Sequence, residues 1–232
     1  MQALWTEAPV LVPVAGTDSG FPVRRIYCVG RNYVDHIREM KEGDERDDPF
    51  FFQKPTDAIE VDGSTIPYPR ATEDFQFEGE LVIAVGKSLR NVDAADSMEA
   101  IYGYAAGIDL TRRDLQKASV SQSRPWEPGK SFDRSAPCGP ILPKHSVQNL
   151  ENATLVLHVN GDERQRTSLH LMIWSVPEIL SRLSQLYTLE PGDLIFTGTP
   201  AGVSAVNPGD QISVEVTGLP TLSVTITDQE ES

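Results

Sequence analysis

The stretch from Phe75 to Gly86, Phe-Gln-Phe-Glu-Gly-Glu-Leu-Val-Ile-Ala-Val-Gly, joins a strand pattern to two carboxylates placed two positions apart. Side chains alternate faces along a strand, so Glu78 and Glu80 project the same way. Like charges roughly 6 to 7 Å apart on one face repel, and the apolar run Leu81 to Val85 carries them toward a core. A divalent cation would remove that conflict; an acidic strand edge facing solvent would avoid it. Asp109 stands at the end of a second strand, Tyr102 to Leu110, whose glycines permit close backbone approach. If the two strands are neighbours, Glu78, Glu80 and Asp109 form an all-oxygen triad suited to Mg2+ or Mn2+ rather than to zinc. The alternative for Asp109 is a turn or a helix cap.

His36 and Glu39 stand three apart, so on a helix they share a face and the carboxylate can orient and polarise the imidazole. Such a dyad activates water; a surface ion pair is the other reading. Gly129-Lys130-Ser131 resembles the end of a phosphate-binding loop, but Arg124 occupies the position where that loop needs glycine, which excludes nucleotide binding. Thr197-Gly-Thr-Pro200 ends an apolar strand with hydroxyls and a flexible backbone, either as a plain turn or as a seat for a carboxylate. The sequence has no Gly-x-Ser-x-Gly elbow, and neither Cys28 nor Cys138 carries a nucleophile signature, so metal-assisted hydrolysis is favoured over covalent catalysis. His145, His158 and His170 lack ligand spacing and read as structural or surface residues.

The elements that must position these residues are mainly β. Ile26 to Val29 is a short apolar strand leading through Gly30-Arg-Asn-Tyr33 into one or two helical turns with His36, Ile37 and Met40. Lys41 to Asp48 is almost wholly charged, a solvated loop or a mobile lid that carries His36 and Glu39. Phe50 to Gln53 is a strand ended by Lys54-Pro55. Thr111 with Asp114 predicts a capping pair for a helix containing Arg113 and Gln116, and Ser119 to Ser135 a long polar loop beside Lys130. Asn160-Gly161 predicts a type I′ hairpin turn. Ser175-Val-Pro-Glu178 predicts a capping box opening a helix whose Val176, Ile179, Leu180, Leu183 and Leu186 form a core stripe. Strands follow near Leu194, Ile212 and Leu222, and residues 1–24 read as a peripheral arm or a short strand pair.

Composition narrows the function classes. The chain has 232 residues, 39% hydrophobic and 23% charged, which is ordinary for a soluble globular domain with a sizeable core. A net charge of −14 argues against nucleic acid and against an anionic membrane surface. An anionic substrate would therefore need local positive groups. No apolar run approaches the roughly 20 residues that span a bilayer, and two distant cysteines suggest neither a disulfide framework nor a thiolate cage. Reduced, cytoplasmic residence fits best.

Taken together, Gly30-Arg-Asn-Tyr33, Asp35-His-Ile-Arg-Glu-Met40, Phe52-Gln-Lys-Pro55, Glu78-Gly-Glu80, Asp109-Leu-Thr-Arg-Arg-Asp-Leu-Gln116, Gly129-Lys-Ser131 and Thr197-Gly-Thr-Pro200 resemble the fumarylacetoacetate hydrolase family in order and spacing. The likeness runs from about Arg25 to the C-terminus and leaves residues 1–24 outside it. It implies an α+β, mainly β fold, a mixed β-roll core with short flanking helices over residues 25–232, assembled as a homodimer. It further implies Mg2+ or Mn2+ on Glu78, Glu80 and Asp109, with His36 and Glu39 on a lid at about residues 32–48 that orders over substrate. Lys130 matches the family's catalytic lysine, while Arg113, Gln116 and Thr199 match substrate contacts. Lys54 matches a lysine that either touches substrate or supports the site. The implied reaction is hydrolysis of a carbon–carbon bond in a 2,4-diketo acid, an acylpyruvate such as fumarylpyruvate. Decarboxylation of oxaloacetate would use a similar enolate without an attacking water. A metal-dependent keto-acid binding protein without turnover would need the triad but not His36, Glu39 and Lys130, whose joint presence argues against it.

Overall fold

The computed structural model describes residues 4–6, 8–40 and 47–229. Lys41 to Arg46, at the centre of the lid expected from the sequence, lie outside the described residues.

Two mixed sheets carry the fold. The first orders its six strands as Leu142–Pro143, Ile101–Ile108, Gly79–Val85, Leu194–Phe196, Ile26–Gly30 and Phe50–Lys54. The second orders five as Asp162–Ser168, Thr154–Val159, Gln211–Val216, Leu222–Thr227 and Thr65–Pro67. Neighbours are antiparallel except Leu194–Phe196 beside Ile26–Gly30 and Leu222–Thr227 beside Thr65–Pro67. Among the described residues, five α-helices flank them, at Val34–Met40, Ala94–Ser97, Arg113–Ser121, Glu127–Lys130 and Val176–Leu186. The architecture is thus mixed and mainly strand, as the sequence implies.

The unbroken apolar run Leu81 to Val85 is explained by burial on both faces of its strand. Leu81, Ile83 and Val85 enter the larger core with Leu155, Leu157 and Val214. Val82 and Ala84 enter a second core with Cys28, Phe196 and the hairpin residues Val12, Val14 and Phe21. That hairpin pairs Leu11–Pro13 with Gly20–Pro22. Each fully buried aliphatic side chain contributes about 1.5–3 kcal/mol, so the central strand is firmly fixed before any site chemistry is considered. Gly107 on the neighbouring strand is needed here, because a Cβ there would stand 2.4 Å from Val82 Cγ2.

Local signals behave unevenly. Asn160 and Gly161 both take positive φ, 54° and 85°, as a type I′ turn requires. The Ser175 capping box forms, with the Ser175 N–H donating to Glu178 Oε2 at 2.9 Å. The stripe behind it is shorter than expected: Ile179, Leu180 and Leu183 are buried, but Leu186 is 65% exposed at the helix's last residue. The Thr111–Asp114 cap does not form. Asp114 instead accepts from the Thr72 hydroxyl at 2.5 Å and the Glu73 N–H at 3.0 Å, both remote in sequence. The expected loop from Ser119 to Ser135 holds the end of one helix and the single turn Glu127–Lys130, which proline starts within its first two positions. Among the described residues no helix is long and apolar enough to cross a membrane.

Candidate active site

Strand register assembles the acidic cluster. Gly79 pairs with Ile108 and Glu80 with Gly107, so Glu78 and Asp109 leave adjacent strand ends side by side. The Asp109 N–H donates to the Glu78 carbonyl at 2.8 Å and locks the junction. Carboxylate oxygens of Glu78, Glu80 and Asp109 lie within 4.8 Å of one another, all buried.

The donor set fits a hard divalent cation. Burial, with Asp109 and Glu78 as like-charged neighbours, raises the Glu80 carboxyl well above the usual carboxylate range. Asp109 Oδ1 lies 2.9 Å from Lys54 Nζ yet completes no hydrogen bond despite its burial. Three converging buried oxygens, one without a hydrogen-bond donor, match the all-oxygen preference of Mg2+ or Mn2+.

Three cations surround these three carboxylates. The Lys130 ammonium donates to Glu78 Oε2 at 2.8 Å, Asp109 Oδ2 at 2.9 Å and the Thr111 hydroxyl at 2.7 Å, using every N–H it has. Burial works to lower Lys130, but Asp109 and Glu78 offset it and hold the ammonium above its ordinary value. Arg113 donates to Glu78 Oε1, to Gln116 Oε1 at 2.5 Å and to Gln76 Oε1 at 2.8 Å. Burial alone would raise Glu78; Lys130 and Arg113 instead hold it far below the carboxylate range. Lys54 donates to the Leu110 carbonyl at 3.1 Å and to the Lys130 carbonyl, supporting the cluster beside Asp109.

The helix Val34–Met40 brings the dyad to this cluster. His36 Nδ1 is 3.4 Å from Glu39 Oε2, and the Glu39 carboxylate accepts the Gly202 N–H at 3.2 Å. His36 is buried, which lowers its pKa against the opposing pull of Glu78 and favours the neutral imidazole. His36, Ile37 and Met40 face Glu78, Arg113, Gln116, Lys130 and Thr199 across a cleft of about 40 Å3. At that volume the cleft holds about three waters.

Of the residues singled out by sequence, Glu78, His36, Lys130, Arg113, Gln116 and Thr199 line one cleft; Glu80 and Asp109 stand beside Glu78, Glu39 beside His36, and Lys54 is buried beside Asp109. The Thr197-Gly-Thr turn does hold a carboxylate, but that of Glu80, through the Gly198 N–H at 2.7 Å. Its hydroxyls serve the backbone: Thr197 Oγ1 donates to Leu81 O at 2.9 Å and Thr199 Oγ1 to Gly79 O at 3.0 Å. Gly198 has φ 95°, and a Cβ would stand 2.7 Å from that of Asn32, so glycine is required.

Sequence reasoning missed two buried amides. Asn32 donates to the Trp174 and Thr197 carbonyls at 3.0 and 2.8 Å and accepts the Trp174 N–H at 2.7 Å, anchoring the start of the helix. Gln165 accepts the Gly79 N–H at 2.9 Å and donates to Thr199 Oγ1 at 2.9 Å, tying both sides of the triad together. Nothing local marks either one; their partners lie far away in sequence.

The family model described as Fumarylacetoacetate (FAA) hydrolase C-terminal matches residues 25–227. Fumarylpyruvate hydrolase of Ralstonia sp is 42% identical over 177 residues, covering 76% of this chain and 92% of that protein. Mitochondrial oxaloacetate tautomerase FAHD1 of Bos taurus is 40% identical over 196 residues, covering 84% and 88%. The crystal structure of fumarylpyruvate hydrolase from Pseudomonas aeruginosa, in complex with Mn2+ and pyruvate, superposes with a TM-score of 0.95 at 47% identity, covering 98% of this chain and 100% of that one. A buried acidic triad, facing cations and a histidine–carboxylate pair thus occur within a matched fold: the chain belongs to the fumarylacetoacetate hydrolase family.

Proposed function

We propose that this chain is a divalent-metal-dependent hydrolase that cleaves the carbon–carbon bond of a 2,4-diketo acid, with fumarylpyruvate giving fumarate and pyruvate. The observation that carries the reading is the cleft that a buried His36, held by Glu39, shares with Glu78 of the carboxylate cluster. Mg2+ or Mn2+ on Glu78, Glu80 and Asp109 would stabilise the negative charge that develops when pyruvate leaves as its enolate. His36, kept neutral by burial, takes a proton from the water that attacks the 4-carbonyl, and Glu39 orients its ring. Lys130 and Gln116 stabilise the oxyanion or the enolate, Arg113 and Thr199 position the substrate, and Lys54 supports Asp109 and Lys130.

Charge balance agrees with the substrate. Glu78, Glu80 and Asp109 oppose Lys54, Lys130 and Arg113, so a divalent cation leaves the pocket net positive and suited to a dianion. We further propose that the segment 32–48 acts as a lid, that the protein works as a cytoplasmic homodimer, and that Mg2+ is its usual ion. Neither nucleic acid nor a membrane is part of the reading.

The 40% identical relative named for oxaloacetate favours a second reading, in which the same site handles oxaloacetate, by decarboxylation for example, without an attacking water. The deciding assay offers fumarylpyruvate, acetylpyruvate and oxaloacetate to the purified protein with Mg2+ or Mn2+. Rapid fumarylpyruvate cleavage that depends on His36 is the expected result. Turnover of oxaloacetate alone, indifferent to His36, selects the second reading, and turnover of none leaves a keto-acid binding protein.

A further inference from the structure

We propose that Gln76 is a positioning residue for Gln116: acting through Arg113, it fixes which end of the Gln116 amide faces the cleft. This role rests on the hydrolase reading above and deepens it by naming what sets the polarity of a group beside the substrate.

The contacts form an ordered chain. Gln76 Nε2 donates to Asp74 Oδ1 at 2.7 Å, and Gln76 Oε1 accepts from Arg113 Nε at 2.8 Å. Arg113 Nη1 donates in turn to Gln116 Oε1 at 2.5 Å. A guanidinium only donates and a carboxylate only accepts, so each amide has one workable orientation. Turning either one over would set N–H against N–H. Gln116 lines the cleft, and among the described residues its NH2 makes no hydrogen bond, so the donor end is the one left for a ligand. That polarity matters to the reaction: a carbonyl turned inward would repel an oxyanion or an enolate, whereas an NH2 stabilises it.

The main chain on both sides of the chain of contacts is pinned. Gly129 packs so closely that a Cβ there would stand 2.7 Å from the Gln116 N, which holds the backbone beneath the amide. Gln76 is anchored through its strand, Phe75–Gln76, which pairs with Thr111–Arg112, and through a bridge to Ala205. The Arg113 N–H donates to the Asp74 carbonyl at 2.8 Å, so backbone and side chain are tied at the same place.

Arg113 also donates to Glu78, but that contact by itself would let the guanidinium pivot. Gln76 on Nε supplies the second fixed acceptor that sets its plane, and with it the direction of Nη1 toward Gln116. Asp74 orients Gln76 from outside the cleft lining. Its other partner, Lys117, is 62% exposed at 3.6 Å, a pair that contributes little.

The test follows fumarylpyruvate turnover and, by nuclear magnetic resonance, the side-chain NH2 signals of Gln116 in the Mg2+-loaded protein. Gln76→Leu should lower kcat roughly tenfold, the usual effect of losing one charge-assisted hydrogen bond, with KM within about twofold. In a Gln116→Leu background the same substitution should cost less than about twofold, because no amide is left to orient. Gln76→Glu combined with Asp74→Asn exchanges donor and acceptor between these two positions while keeping an acceptor for Arg113, and should recover kcat to within about threefold. The NH2 signals should move in Gln76→Leu and return in that double variant. Additive losses in the Gln116→Leu background, or NH2 signals unmoved by Gln76→Leu, overturn the assignment. If wild type hydrolyses nothing while the NH2 signals follow Gln76 in this way, the hydrolase reading fails and the positioning role stands.

Discussion

The floor and the roof of the cleft are built by opposite strategies. The floor is a polar cluster at the ends of two paired strands, with Glu78, Glu80, Asp109, Lys54, Lys130 and Arg113 all at most 5% exposed. Its geometry follows from the register of Gly79–Val85 against Ile101–Ile108, which the apolar faces on both sides enforce. The roof is a seven-residue helix held by the Asn32 amide, by Glu39 on the Gly202 N–H, and by packing of Ile37. Electrostatics that must be ready before substrate arrives belong on a rigid sheet; a base that must let substrate pass belongs on a short element. The two halves should accordingly respond to different perturbations.

Removing a charge from the floor should have the largest effect on stability. Lys130→Met leaves two buried carboxylates without their shared ammonium, and the metal-free protein should lose about 3–5 kcal/mol in urea unfolding. A loss under about 1 kcal/mol would show that the cluster relaxes like a surface pair. On the roof, His36→Ala should leave Mn2+ affinity unchanged while lowering hydrolysis by about two to four orders of magnitude. Hydrolysis within about threefold of wild type would remove the dyad from the mechanism.

A smaller structural effect is expected at the joint between the halves. Asn32→Ala removes three buried hydrogen bonds and should cost about 2–4 kcal/mol, with protection lost first in the helix Val34–Met40 by hydrogen exchange. Uniform loss across both sheets would place Asn32 in the floor. The mildest perturbation is pH. Protonated imidazole accepts no proton, and burial lowers the His36 pKa, so kcat/KM should hold as pH falls through the ordinary histidine range and decline only below it. A decline starting above that range would assign the limb to another group.

The floor was far more legible than the roof. The expected single strand from Phe75 to Gly86 is two, Phe75–Gln76 and Gly79–Val85, with Glu78 between them, yet the two-residue spacing still brings Glu78 and Glu80 together and the end of the next strand delivers Asp109. The Asn160-Gly161 turn and the Ser175 box were readable because donor and acceptor lie within three residues. Asp114 shows where this fails: the spacing to Thr111 suits a cap, but Thr72, 42 residues away, offers a tertiary partner. Gln165 acts on Gly79 from 86 residues away, and Asn32 on Trp174 from 142. Leu186 obeys the helical period but lies at the helix's exposed end. Local pattern reports which face a residue takes, and only the assembled fold reports what waits on that face.

The division of labour rests on the triad holding a divalent cation that the chemistry needs, and one measurement addresses it directly. Fumarylpyruvate turnover is followed in chelator-stripped wild type and Glu80→Ala before and after addition of Mn2+, with Mn2+ binding read by electron paramagnetic resonance in the same samples. Stripped wild type should be inactive and recover fully as Mn2+ binds, whereas Glu80→Ala should remain folded, bind Mn2+ weakly and recover poorly even in excess. Turnover by stripped wild type, or full recovery of Glu80→Ala, would contradict the account.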